Sequence, residues 1–227
     1  MKRIFAILIC ISLIIVCVSC SSKQEKEDTS ESIVDTAEVT AEPEEEELPL
    51  GTLSRGKIEG KRYFSAFSGI ELEIGDTWSF SSDEEIADIV NIGTELIDAS
   101  EFAKTVAENA TVYDMMTVDA VTNSNIMIGY ENLDITAPGV DISVDYYMDN
   151  LTDMLTKQEQ VKYTVLSRGV AKICGEEYVR LDMLADFSGI EMNQYYYIRK
   201  IDNIMVSVSI TAVNGVDISD IESMFIG

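Results

Sequence analysis

The stretch "NIMVSVSITAV", residues 203–213, decides how the rest of the chain is read. Ile204, Val206, Val208 and Ile210 alternate with Met205, Ser207, Ser209 and Thr211. Successive strand side chains point to opposite faces, so this pattern predicts a β-strand with one buried, branched face. Three further strands are expected just before it. They are "KYTVLSRG", "VAKICG" running into "EEYVRLDMLADF", and "IEMNQYYYIRK". Hairpin-length gaps separate them, which implies an antiparallel sheet.

Further toward the amino end the period changes. The segment from Asp141 to Gln158, after Pro138-Gly139, carries Val144, Tyr147, Met148, Leu151 and Leu155 at helical spacing. "TVYDMMTVDAV" and "NIMIGYENL" predict paired strands around Thr122 to Asn125. "ASEFAKTVAEN" predicts a short helix, and "SSDEE" another, with Ser82 and Glu85 at capping-box spacing. "RYFSAFSGIELEI" reads as a hairpin turning at Ser68-Gly69, and "DISDIESMF" as a closing helix. Helices that are apolar on one side must cover such a sheet. The expected class is α+β, an antiparallel β-sheet covered by helices.

"FSGIE" occurs at Phe67–Glu71 and again at Phe187–Glu191. The flanks do not match, so two glycine turns are expected rather than a duplicated domain.

Ahead of this domain the composition differs. Lys2 and Arg3 precede the apolar run "IFAILICISLIIVCV", which ends in "SC" at Ser19-Cys20. A basic tip, a run too short to span ~30 Å of hydrocarbon and a small residue before a break form a secretory signal. Cys20, with Ser19 before it and Ser21-Ser22 after it, resembles the lipid-accepting cysteine of bacterial lipoproteins. That resemblance implies cleavage before Cys20 and acyl chains on it. Residues 21–50 hold two lysines against eleven acids and no aromatic residue. Such a composition cannot offset its ordering entropy, so a disordered acidic linker is expected. The domain boundaries read as 1–19 for the signal peptide, 20–50 for the lipidated cysteine and linker, and 51–227 for one α+β domain.

The full chain carries a formal charge of −25. Removing the linker's −9 and the leader's +2 leaves −18 for the domain. That field disfavours nucleic acid and anionic lipid and favours cationic proteins or divalent cations. There is no histidine, which removes His-activated nucleophiles, His-ligated zinc and imidazole acid–base work. Once Cys20 is lipidated, Cys174 is the remaining thiol of the mature chain. On the segment "AKICG" it is expected to be a buried structural residue. No phosphate loop or dinucleotide fingerprint is present. No catalytic residue, cofactor or metal site is therefore assigned, and the domain is expected to be monomeric. The tyrosine run Tyr195 to Tyr197 should place Tyr196 on one sheet face and its neighbours on the other.

"YFSAFSGIELEIGDTWSFSSDEEI", with Trp78, followed by Tyr113-Asp114-Met115, resembles the opening of small lipoproteins of Gram-positive anaerobes. Those in turn resemble the PsbP-like fold, an antiparallel sheet sandwiched by helices. The resemblance spans Lys61 to Ile226 and implies that α/β/α sandwich with an accessory or binding role. It transfers no functional residue, because the family's metal-associated histidines have no counterpart here. Asp76-Thr77 also stands where its proline would precede the tryptophan.

One spacing asks for a partner. Asp141, Asp145, Asp149 and Asp153 recur every four residues on the expected helix. Like charges at i and i+4 oppose helix formation by ~0.2–0.5 kcal/mol per pair. Such a ladder suits a solvated face, or the docking of a basic partner or a divalent cation. The functional expectation is a lipid-anchored extracytoplasmic binding or accessory protein of the bacterial cell envelope. Its alternative is an envelope hydrolase using a carboxylate pair.

Overall fold

A computed structural model describes residues 54–96 and 111–227. The expected signal, Cys20, the acidic linker and the helix over "ASEFAKTVAEN" lie outside these residues. Strand β10, Ile204–Ala212, is the fourth of seven in the order β4-β5-β6-β10-β9-β8-β7. The others are β4 (Trp78–Phe80), β5 (Thr111–Asp119), β6 (Asn125–Asn132), β7 (Lys162–Ile173), β8 (Glu176–Phe187) and β9 (Ile190–Ile201). Every neighbouring pair is antiparallel.

The opening stretch is a strand as predicted, but with two buried faces instead of one. Ser207, Ser209 and Thr211 are buried along with Val206, Val208 and Ile210. The reason is position: β10 has β6 on one side and β9 on the other, and both sheet faces are covered.

Helices cover one face. Helix α1 (Asp83–Leu96) brings Ile86 and Ile89 onto Met116 and Met127. Helix α2 (Leu133–Thr136) and helix α3 (Val144–Leu155) bring Leu133, Tyr147, Met148, Leu151 and Leu155 onto Leu181, Met183, Tyr196 and Met205. The other face is covered mainly by a second sheet, a departure from helices on both sides. Strands β1 (Lys57–Glu59), β2 (Arg62–Phe64) and β3 (Glu71–Glu73) form it, and Tyr63, Phe67, Ile70 and Leu72 pack on Ile126, Ile128, Val206 and Val208. Helix α4 (Ile218–Glu222) adds Ile221 there, and the C-terminal segment bridges β3 through Leu72 and Phe225.

Local chemistry explains the element ends. The capping box forms: the Ser82 amide donates to Glu85 Oε2 at 2.7 Å, and the Glu85 amide to Ser82 Oγ at 3.2 Å. Helix α3 starts at Val144 rather than Asp141, because Ser143 caps it and accepts from the Tyr146 amide at 3.2 Å. The expected break after "KYTVLSRG" is absent. β7 continues to Ile173 and turns at Cys174-Gly175, both at positive φ (48° and 76°). Two such residues match the two-residue turn that suits strand twist. Cys174 is thus on a turn, not a strand. The two "FSGIE" segments are indeed separate turns. The first bridges β2 and β3 with Gly69 at φ 70°, and the second is a two-residue turn at Ser188-Gly189 between β8 and β9.

Candidate functional site

Three groups of polar side chains could carry chemistry. The first grows from a bulge. In β5 the register against β6 slips between Tyr113 and Met115, leaving Asp114 as the extra residue. A bulge re-aims a side chain, and here it buries the carboxylate under the small sheet. The Gly56 amide donates to both its oxygens, at 2.9 and 3.0 Å. The hydroxyls of Tyr63 and Tyr130 donate to Oδ2, the latter at 2.9 Å, and Arg55 Nε lies 3.7 Å from Oδ1. Burial pushes both tyrosine hydroxyls well above their ordinary pKa, so they stay protonated as donors. Ser65 and Ser68 complete the cluster around the Tyr130 hydroxyl, at 2.8 and 3.2 Å. A carboxylate receiving this many donors is a latch holding the start of the domain to the large sheet.

A second group lies on the helix-bearing face. Glu131 on β6 is buried and accepts from the Tyr147 hydroxyl of α3 at 2.7 Å. Burial raises its pKa to about 7, and the Tyr147 donation offsets only part of that. Along the same face Tyr196 donates to Gln194 at 2.5 Å, and Ser207 donates to the Gly129 carbonyl at 3.1 Å. Asn125 is fully buried with neither amide atom hydrogen-bonded.

The third is the aspartate ladder, and the structure places all four members beside this chain's own cations. Arg168 on β7 bonds Asp149 at 2.5 Å and Asp145 at 2.6 Å. Lys200 pairs with Asp141 at 2.7 Å, and Lys157 with Asp153 at 2.5 Å. Asp145, Asp149 and Asp153 share the helix, while Asp141 precedes it. Among the described residues no three acidic or cysteine side chains converge as metal ligands.

The tyrosine run alternates as read: Tyr196 joins the helix-side core, and Tyr195 and Tyr197 face the other way. Arg180 lies over both of the latter, 4.9 and 5.5 Å from their ring centres, and binds Asp182 and Glu222. Cys174 Sγ sits 3.3 Å from both the amide and the carbonyl oxygen of Glu71, and burial raises its pKa. Asp114 and Glu131 were missed in the sequence. The signal was an acid inside a strand otherwise rich in methionine, isoleucine and tyrosine.

No family model and no curated protein matches the chain. Solved structures do resemble it. A cyanobacterial PsbP from Synechocystis sp. PCC 6803 aligns with a TM-score of 0.44 at 11% identity, over 77% of this chain and 98% of that one. A Bacteroides thetaiotaomicron protein aligns at 0.37 and 13% identity, over 74% of this chain and 47% of its own. LpqN of Mycobacterium tuberculosis, described as involved in cell envelope biogenesis, aligns at 0.37 and 10% identity, over 68% and 75%. Likeness of this size says nothing of function.

Proposed function

We propose that the chain is a lipid-anchored binding or accessory protein on the outer face of a bacterial cell membrane. Cys20 carries the anchor, residues 21–50 the tether, and the folded domain works through its surface. The observation that supports a binding role is how the ordered charges are engaged. Asp114 is held by Arg55, the Gly56 amide and two tyrosines, Asp182 and Glu222 by Arg180, and Asp145 and Asp149 by Arg168. Asp114 is thereby committed to the fold, whereas Asp145 and Asp149, largely exposed beside Arg168, keep acceptor sites open to a partner. A basic partner docking on the acidic helix face would compete with Arg168 for Asp145 and Asp149.

The test is metabolic labelling with a fatty-acid analogue, followed by fractionation. Wild type should take up label and stay with membranes, and Cys20→Ala should lose label and remain unprocessed. Equal label on Cys20→Ala overturns the anchor.

A further inference from the structure

The two ends of the large sheet differ. Strand β4 is three residues long, whereas β7 runs for twelve, Lys162–Ile173, and pairs only with β8 among the described elements. Soluble proteins keep exposed edges short or interrupt them with charge and bulges, because a bare edge recruits strands. β7 has a bulge between Val165 and Ser167 and carries Lys162 and Lys172, so part of that protection is present. Three features do not suit a protected edge. It is long. Val165, Leu166 and Val170 stand 42, 55 and 64% exposed. And Gly169 sits mid-strand without positive φ and with open space where a side chain would be. A strand glycine that neither a turn nor packing requires leaves room for another backbone to approach.

Charge narrows the occupant. β7 carries Lys162, Arg168 and Lys172 and no acid, in a chain with 41 acids and 16 bases. Pairing with β7 of a second copy would set cations against cations. An acidic, β-prone strand without proline or glycine is the complement. Residues 31–42 of this chain, "ESIVDTAEVTAE", have that composition: four acids, no base, and Ile33, Val34, Thr36, Val39 and Thr40. The chain enters the domain at Arg55, which bonds the Asp114 carbonyl on β5. From β5 to a strand beyond β7 is six strand spacings, ~29 Å. The eleven residues between 42 and 54 reach up to ~40 Å.

We propose that residues 31–42 dock on the free edge of β7 as an added strand of the large sheet. Covalent linkage holds that segment at an effective concentration of ~mM, so a weak pairing is sufficient. The inference does not depend on the lipid.

Amide hydrogen exchange on the full chain tests it. In the intact chain alternate β7 amides should exchange at least ~10-fold more slowly than in a chain lacking residues 31–42, and the melting temperature should be higher by ~2–4 °C, because the segment binds only the folded domain. Lys162→Glu with Lys172→Glu should remove the protection. Changing Glu31, Asp35, Glu38 and Glu42 to lysine in the same chain should restore it. Equal β7 exchange in the intact and deleted chains overturns the proposal. Protection that disappears on dilution also overturns it, since the occupant would then be another molecule's segment.

Discussion

The Tyr147 hydroxyl donates to Glu131 Oε2 at 2.7 Å, tying helix α3 to strand β6 beneath the protein surface. Oε1 of the same carboxyl is buried without a hydrogen bond. Tyr113 on β5 is the other titratable group acting on Tyr147. The carboxyl titrates near 7 when folded against an ordinary 4.5. A folded-state pKa raised in this way gives stability that is complete below the unfolded value. It is lost as pH climbs through the folded one. Relative to Glu131→Gln, wild type should therefore lose on the order of 3 kcal/mol between pH 4.5 and 8. Urea denaturation at several pH values measures it, and parallel pH profiles for the two proteins would refute it.

Asp114→Ala predicts a larger loss. It leaves the Gly56 amide without its acceptor and takes the carboxylate from two buried tyrosine hydroxyls, of which Tyr130 keeps Ser65 and Ser68. Removing one partner from a buried charged network costs about 3–5 kcal/mol. Denaturant unfolding should show that loss, and a change below about 1 kcal/mol would mean the cluster reorganises around water.

Gly56 is tested separately. A Cβ there would fall 2.3 Å from the Tyr63 ring, which is itself buried and bonded to Asp114. The ring cannot swing aside without breaking that bond. Gly56→Ala should destabilise by about 1–3 kcal/mol, the range for overpacking. In a double mutant with Tyr63→Phe the two losses should be less than additive.

Arg168 bridges Asp145 and Asp149 from the exposed side of β7. Arg168→Ala should cost less than about 1 kcal/mol, shrinking further at 1 M salt, because exposed pairs are well screened. Adding Asp149→Asn should recover part of it by relieving the i, i+4 repulsion. A cost that is unchanged by salt would show that the arginine stem, not its charge, supports α3.

Cys174 should react slowly with a thiol reagent in the folded chain and at the rate of an ordinary thiol once unfolded. Its sulfur lies against the backbone of Glu71, and its pKa is raised.

Periodicity made most of the elements visible in the sequence. Alternation identified β10 and the strands before it, and Ser82 with Glu85 marked a helix start that the structure confirms. What alternation cannot report is what lies over each face. Ser207, Ser209 and Thr211 read as an outward face, yet they are buried because β10 is central and helices lie above it. Turn geometry was half visible. Gly189 and Gly69 announced themselves, but Cys174 at φ 48° did not, since nothing in that residue type favours the left-handed region. The ladder's spacing was plain, whereas Arg168, Lys200 and Lys157 meet it only through folding or local geometry. Asp114 stands in a legible strand motif, but its role does not show there, because a bulge is a property of two paired strands.

The attachment of Arg55 and Gly56 also decides how the domain bears force. Gly56 is bonded to Asp114 on β5, and Arg55 grips Asp83 at 2.7 Å and the β5 backbone. Once residues 31–42 have peeled from β7, tension arriving from before residue 54 is therefore delivered into β5 of the seven-stranded sheet, upstream of β1. The three-residue strands of the small sheet, which would unzip one bond at a time, stand outside the load path. A pulled domain keeps its shape until the Asp114 latch gives way.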